Sequence, residues 1–175
     1  MRLRVALLRG VNVSGAGRLP MAEFSDMLAE MGLGAVRTHI QSGNAVFCSD
    51  RTAADLEAAI RDAVAARFGF APEAFVLTPA ELEAALTDHP FAGADPARVH
   101  VVFLRETPAP DAAALRALAR PGDAWHVGPR RFTLHTPGGY GTSKLAERLP
   151  HLLPQPMTAR NLRTLAALAA MIAHP

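Results

Sequence analysis

Residues 36–48 read VRTHIQSGNAVFC, two β-prone runs, 36–40 and 44–48, separated by Gln41-Ser42-Gly43. Small and φ-permissive residues at the joint suit a tight connection, so the stretch predicts a hairpin. Helical patterns stand on both sides of it. Phe24, Met27, Leu28 and Met31 recur at helical spacing, with Pro20 near the first turn and Gly32 beyond the last. Leu56, Ile60, Ala63, Val64 and Phe68 mark a second helix. The apolar run 3–8 supplies a buried strand before the first helix, and 74–77 a short strand after the second. The order is β-α-β-β-α-β.

The following stretch repeats much of that grammar. Thr78-Pro79-Ala80-Glu81 has the capping-box pattern and predicts a helix to about residue 86. Residues 88–96, DHPFAGADP, are turn-rich and without period, which places a boundary there. RVHVVFL (98–104) is a clear strand, a helix is expected around 112–119, and 125–127 with 131–135 form a second hairpin turning at Gly128-Pro129-Arg130. A helix near 143–149, a proline-punctuated loop and a last helix follow. That last helix sets Leu162, Leu165, Ala166, Ala169 and Ile172 on one face, with Thr158 as its expected cap. The second half therefore reads β-α-β-β-α-α. The expected fold class is α+β: two ferredoxin-like split β-α-β halves with mostly antiparallel sheets and a C-terminal helical extension. The expected halves are 1–90 and 91–175, the second with the terminal helices, tightly packed either as two small domains or as one.

Half of the 175 residues are apolar, enough for a core without covalent staples. The single cysteine, Cys48, cannot form an internal disulfide and ends an apolar strand, where it reads as a small core hydrophobe. No run approaches the roughly 20 apolar residues of a membrane helix, and the N-terminus lacks a signal pattern, so a cytoplasmic protein with no membrane partner is expected. The net charge of +2 is spread over scattered arginines interleaved with acids, which argues against a nonspecific nucleic-acid coat. The seven histidines show no metal-ligand spacing, so no metal is expected. Ser42 is not in a nucleophile elbow, and the strands lack the basic-aromatic pattern of an RNA platform.

Four polar segments interrupt the apolar elements where loops belong: RGVNVSGAGR (9–18), QSGN (41–44), GGYGTSK (138–144) and TARN (158–161). The first is a glycine-rich loop after a strand, able to turn backbone N–H groups toward an anion between Arg9 and Arg18, with Asn12 and Ser14 inside it. Its spacing is neither of the two standard phosphate-loop patterns, and a plain turn is the competing reading. Gln41, Ser42 and Asn44 can bind a polar ligand or satisfy their own turn. The third segment holds the only tyrosine, Tyr140, and the only lysine, Lys144, beside seventeen arginines. With Ser143 it sits at an expected helix N-terminus, where free N–H groups and the dipole favour anions. Arg160 and Asn161 are expected to open the last helix in the same way, so that two helix N-termini could face one anion.

The stretches LLRGVNVSGAGRLPM, IQSGNAVF, GYGTSKL and TARNLRT resemble, in that order, the signature blocks of a bacterial family named domain of unknown function 1697. The resemblance implies two small α/β halves sharing a polar surface whose purpose is open. It departs in one place: the family commonly has a tryptophan after the Arg-Asn pair, where this chain has Leu162. The expected function is binding of an anionic or phosphorylated, nucleotide-like small molecule by Arg9, Asn12, Ser14, Arg18, Gln41, Ser42, Asn44, Tyr140, Ser143, Lys144, Arg160 and Asn161. A nucleic-acid module and a protein whose polar loops only lock its halves together are the alternatives. The sequence names no reaction and no cofactor.

Overall fold

In the computed structural model, which describes residues 1–15 and 17–174, the first hairpin forms as expected. Strands β1 (Arg2–Leu8), β2 (Gly34–His39), β3 (Asn44–Ser49) and β4 (Ala74–Leu77) make one sheet in the order β2-β3-β1-β4. Every neighbouring pair is antiparallel. Helices α1 (Met21–Glu30) and α2 (Ala53–Phe68) cross from β1 to β2 and from β3 to β4, which is the split β-α-β arrangement. The spacing seen in sequence decides which residues face inward. Phe24, Met27 and Leu28 of α1 and Leu56, Ile60 and Val64 of α2 join Ala6, Leu8, Ala45, Phe47, Ala74 and Val76 in one core. Thr52 caps α2 by accepting from the Asp55 N–H at 3.1 Å, and Gly69 ends it in the left-handed region at φ 79°.

Helix α3 (Pro79–Thr87) begins on the capping box. Thr78 Oγ1 accepts from the Glu81 N–H at 3.2 Å, and Glu81 Oε2 accepts from the Thr78 N–H at 2.8 Å.

The second sheet holds β5 (Val99–Leu104), β6 (Ala124–Gly128), β7 (Arg131–His135) and β8 (Met157–Asn161), again antiparallel, in the order β6-β7-β5-β8. Renumbered within each sheet, the two strand orders are the same. Helices α4 (Ala112–Leu118) and α5 (Lys144–Leu152) cover one face, where Leu115, Leu145, Ala146 and Leu149 meet Val102, Leu104, Phe132, Leu134 and Met157. The last helix is α6 (Leu162–Ala173). By contacts, Met1–Glu83 with the segment from Ala166 onward make one compact unit, and Ala84–Leu165 the other.

Two expectations need correction. Residues 157–161 are not a loop and a helix start; they are strand β8, paired with β5 from His100–Asn161 to Leu104–Met157, so the second half also reads β-α-β-β-α-β. The cap of α6 moves accordingly from Thr158 to Asn161, whose Oδ1 accepts from the Thr164 N–H at 2.9 Å. Helix α5 likewise runs on through Pro150 to Leu152, because Leu149 and Leu153 are both buried and the Leu153 N–H still reaches the Leu149 carbonyl at 2.8 Å.

Candidate functional site

In the first unit, the 9–18 loop and the 40–43 turn meet at one side chain. Asn12, at φ 54°, donates from Nδ2 to the Leu19 carbonyl at 2.7 Å and to the Gln41 carbonyl at 2.9 Å, while its Oδ1 accepts from the Leu19 N–H at 2.8 Å. Asn12 is thus a clamp that closes its own loop and ties it to the hairpin. Asn44 is fully buried and donates to the His39 carbonyl at 3.1 Å from within the turn. Gly43 has φ 72°, and a Cβ there would stand 2.6 Å from Val11 Cγ2 and 2.8 Å from Leu8 Cβ, so the turn is pressed onto the strand that feeds the loop. On this frame Arg9, Ser14, Arg18 and Gln41 are exposed and Ser42 is half-buried. Ala16, in the same segment, lies outside the described residues.

In the second unit, the 138–144 segment is a short 3-10 turn, Tyr140–Thr142, leading into α5. Ser143 is the helix cap rather than a first-turn residue: its Oγ accepts from the Ala146 N–H at 3.2 Å, and it is buried. Lys144 is the first helical residue and exposed. Guanidiniums lie against the glycine pair, and Gly139 makes room for one of them. A Cβ on Gly139 would stand 2.9 Å from Arg98 Nη1, and one on Gly138 would stand 3.5 Å from Arg120 Nη1. Arg120 also donates from Nη1 to Thr142 Oγ1 at 3.3 Å and from Nη2 to the Thr142 carbonyl. Three cations, Arg98, Arg120 and Lys144, therefore gather on seven residues of chain. None of the three is in a described salt bridge.

Beneath the turn, the Tyr140 ring stacks on His100 with centroids 4.0 Å apart. Burial pushes the His100 pKa down to about 4, so the ring is neutral at pH 7. By register, Arg98, His100, Leu134 and Thr136 share the helix-covered face of the sheet, and Asn161 lies opposite His100 on β8. His100 Nδ1 and Thr136 Oγ1 are buried there without a hydrogen-bond partner among the described residues.

Arg160 is elsewhere. Its cross-strand partner is Val101, whose other partner is Thr133, so Arg160 leaves the sheet on the face opposite α5. The same face carries Thr158, Arg131 and Thr133, all buried. Arg160 donates from Nη1 to Thr158 Oγ1 and to the Ala159 carbonyl, both at 2.8 Å, and burial lowers its pKa to about 10. The expected pairing of two helix N-termini fails, because Arg160 belongs to a strand. Arg131, on that same face, is bonded to Asp88 at 2.6 Å.

A family model, Protein of unknown function (DUF1697), matches residues 1–132. The chain belongs to that family. Its fold is similar to that of the conserved bacterial protein SP0830 from Streptococcus pneumoniae, with a TM-score of 0.72 and 24% identity over 97% of this chain and 98% of that one. No curated protein matches. The matched span ends in β7, so Tyr140, Lys144 and Arg160 of this DUF1697 member lie beyond it.

Sequence reasoning missed Arg98, Arg120, His100 and Thr136. The one hint in the sequence is the doubled glycine at 138–139, since a residue without a side chain can mark space that a neighbour fills. Among the described residues of this DUF1697 chain, no group of three or more His, Cys, Asp or Glu is placed to hold a metal ion. No described helix is long and apolar enough to cross a membrane.

Proposed function

We propose that this DUF1697 protein binds an anionic, phosphate-bearing small molecule, and that the 138–144 segment of the second unit holds its negative charge. The observation that supports this reading is the gathering of Arg98 and Arg120 at Gly138 and Gly139, on a segment that ends in the exposed Lys144. Exposed guanidiniums with planar donor forks favour phosphate oxygens over water as partners, and Lys144 adds an ammonium to the same segment. Acids are near but turned to other work: Asp123 Oδ2 accepts from the Arg120 backbone N–H at 2.9 Å, and Asp95 Oδ1 from the Ala97 N–H at 2.9 Å.

Calorimetric titration with pyrophosphate and with adenosine triphosphate at low ionic strength tests it. Wild type is expected to bind at least one of them, and the Arg98→Gln/Arg120→Gln double variant to bind at least tenfold more weakly with an unchanged far-UV spectrum. Equal affinity in the double variant, or no binding of either probe by wild type, refutes the proposal.

A second reading keeps a foothold. Asn12, Ser143 and Asn161 direct their polar atoms to backbone groups of their own loops and caps, which is what a purely structural role predicts.

A further inference from the structure

Below the cations of the 138–144 segment lie two polar atoms that the fold of the second unit does not use. Thr136 is 1% exposed and His100 is half-buried, and Thr136 Oγ1 and His100 Nδ1 are both enclosed without a hydrogen-bond partner among the described residues. Roughly nine-tenths or more of buried polar groups in folded proteins are paired, because an unpaired one has given up its hydrogen bond to water for nothing. Two such atoms on one sheet face call for a partner from outside the chain.

Their placement ties them to the cations. The Thr136 N–H donates to the Arg98 carbonyl at 2.9 Å, and the Thr136 carbonyl accepts from the Gly139 N–H at 2.9 Å, so Thr136 joins the head of β5 to the glycine turn. Thr136 thus stands across from Arg98, and His100, which faces Leu134, is its diagonal neighbour on the same face. Diagonal positions lie about 7–8 Å apart, a gap that one small polar group can bridge between an imidazole and a hydroxyl. Arg98 Nη1 lies against Gly139 beside them. The cover over His100 is the Tyr140 ring, its centroid 4.0 Å away, on a turn with glycines at 138, 139 and 141.

The chemistry of the pair narrows its partner. A threonine hydroxyl donates and accepts, and an imidazole held neutral by burial does either at Nδ1, according to its tautomer. Both groups are uncharged, in a place where an unpaired charge is costly. The group that matches them is an alcohol, itself donor and acceptor. Building on the anion-binding proposal, we infer that the ligand is a phosphate ester of a polyol or sugar, with its phosphate on Arg98 and Arg120 and its hydroxyls on Thr136 Oγ1 and His100 Nδ1 once the Tyr140 ring turns aside. Thr136 and His100 then set specificity: they distinguish a sugar phosphate from a bare phosphate of equal charge.

Calorimetric titration of the full chain tests this with glycerol 3-phosphate and ribose 5-phosphate, against n-propyl phosphate, which carries the same charge and no hydroxyl. Pyrophosphate reports on the cations alone. Wild type is expected to bind at least one of the two polyol esters about tenfold more tightly than propyl phosphate. Thr136→Val removes the hydroxyl at nearly constant shape, and His100→Phe removes the ring nitrogens while keeping a ring under Tyr140. Each should shrink that preference about fivefold and leave pyrophosphate affinity unchanged. Thr136→Val should also melt no lower than wild type, since a methyl group in place of an unpaired buried hydroxyl removes a desolvation penalty. Pyrophosphate binding without a preference for the polyol esters refutes this inference alone, and so does a preference that survives both substitutions. A Thr136→Val variant that melts lower than wild type refutes it too, because the hydroxyl then serves the fold. Wild type that binds neither pyrophosphate nor any of the esters overturns the anion site and this inference together.

Discussion

The glycines of the first unit separate two costs that are usually confounded, backbone strain and lost space. Gly69 at φ 79° has nothing within 4 Å of the position its Cβ would take, so alanine there meets strain alone. Gly17 has no positive φ, but a Cβ would land in the ring of Phe70, so alanine there meets only a steric obstacle. Gly43 combines both, with φ 72° and Val11 and Leu8 at 2.6 and 2.8 Å. A left-handed alanine costs about 1–2 kcal/mol, overpacking adds about 1–3 kcal/mol, and the stiffer unfolded chain returns about 0.4–1 kcal/mol. The net expectation is roughly 0.5–1 kcal/mol for Gly69→Ala, about 0.5–2 kcal/mol for Gly17→Ala and about 2–4 kcal/mol for Gly43→Ala.

For a chain of this size the last figure corresponds to a fall in Tm of roughly 4–16 °C. Urea unfolding is followed by far-UV circular dichroism and by fluorescence of the single tryptophan, Trp125, which lies on β6 in the second unit. Coincident transitions license the two-state free energies; separate ones assign the loss to the unit that carries the substitution. A Gly43→Ala variant no less stable than Gly69→Ala would show that Val11 and Leu8 yield freely and that the turn is not pressed against β1.

Two further outcomes follow from single side chains. Asn12→Gly keeps the positive φ available and removes the three clamp hydrogen bonds, at an expected loss of about 1–3 kcal/mol; Asn12→Ala should lose about 1 kcal/mol more, both read from urea midpoints. His100 is a pH-sensitive group: its folded pKa of about 4 lies below the ordinary value of 6.5, so the unfolded chain binds the proton more tightly. Its contribution is complete above pH 6.5 and is lost as pH falls toward 4. The loss is roughly 2–3 kcal/mol once partial exposure is allowed for, and His100→Asn should flatten that part of the stability profile.

Local signals in this chain were legible in proportion to how local their physics is. The Thr78–Glu81 box, the 36–48 hairpin and the faces of α1 and α2 are decided within one or two turns of chain, and each forms where its residues indicate. Strand β8 was not legible. It has five residues, follows Pro156 directly and runs into α6 with no intervening loop, so Thr158 resembled a cap and Asn161 a first-turn residue. Only pairing with β5 distinguishes the alternatives, and that pairing joins residues about sixty apart in sequence. The period-2 alternation of Met157 and Ala159 with Thr158 and Arg160 was present but too short to outweigh the helical pattern behind it.

The same distinction governs the candidate site. A helix N-terminus at Arg160 would have aimed its guanidinium along a helix axis toward Lys144; a strand sends it to the sheet face that α5 does not cover. The cation that sequence logic paired with Lys144 is thereby replaced by two it did not consider, Arg98 at the head of β5 and Arg120 after α4. Neither could be nominated from spacing: Arg98 fills the space that a side chain at Gly139 would take, and Arg120 reaches the segment by hydrogen bonds to Thr142. A residue with no side chain carries no chemical signature of what fills its space. Gly139→Ala probes the site without a change of charge: it leaves all three cations in the sequence, displaces Arg98 from a Cβ position 2.9 Å away, and strains the turn at φ 108°. Pyrophosphate affinity should fall in that variant if the arrangement of charge matters, and stay unchanged if net charge alone attracts the ligand.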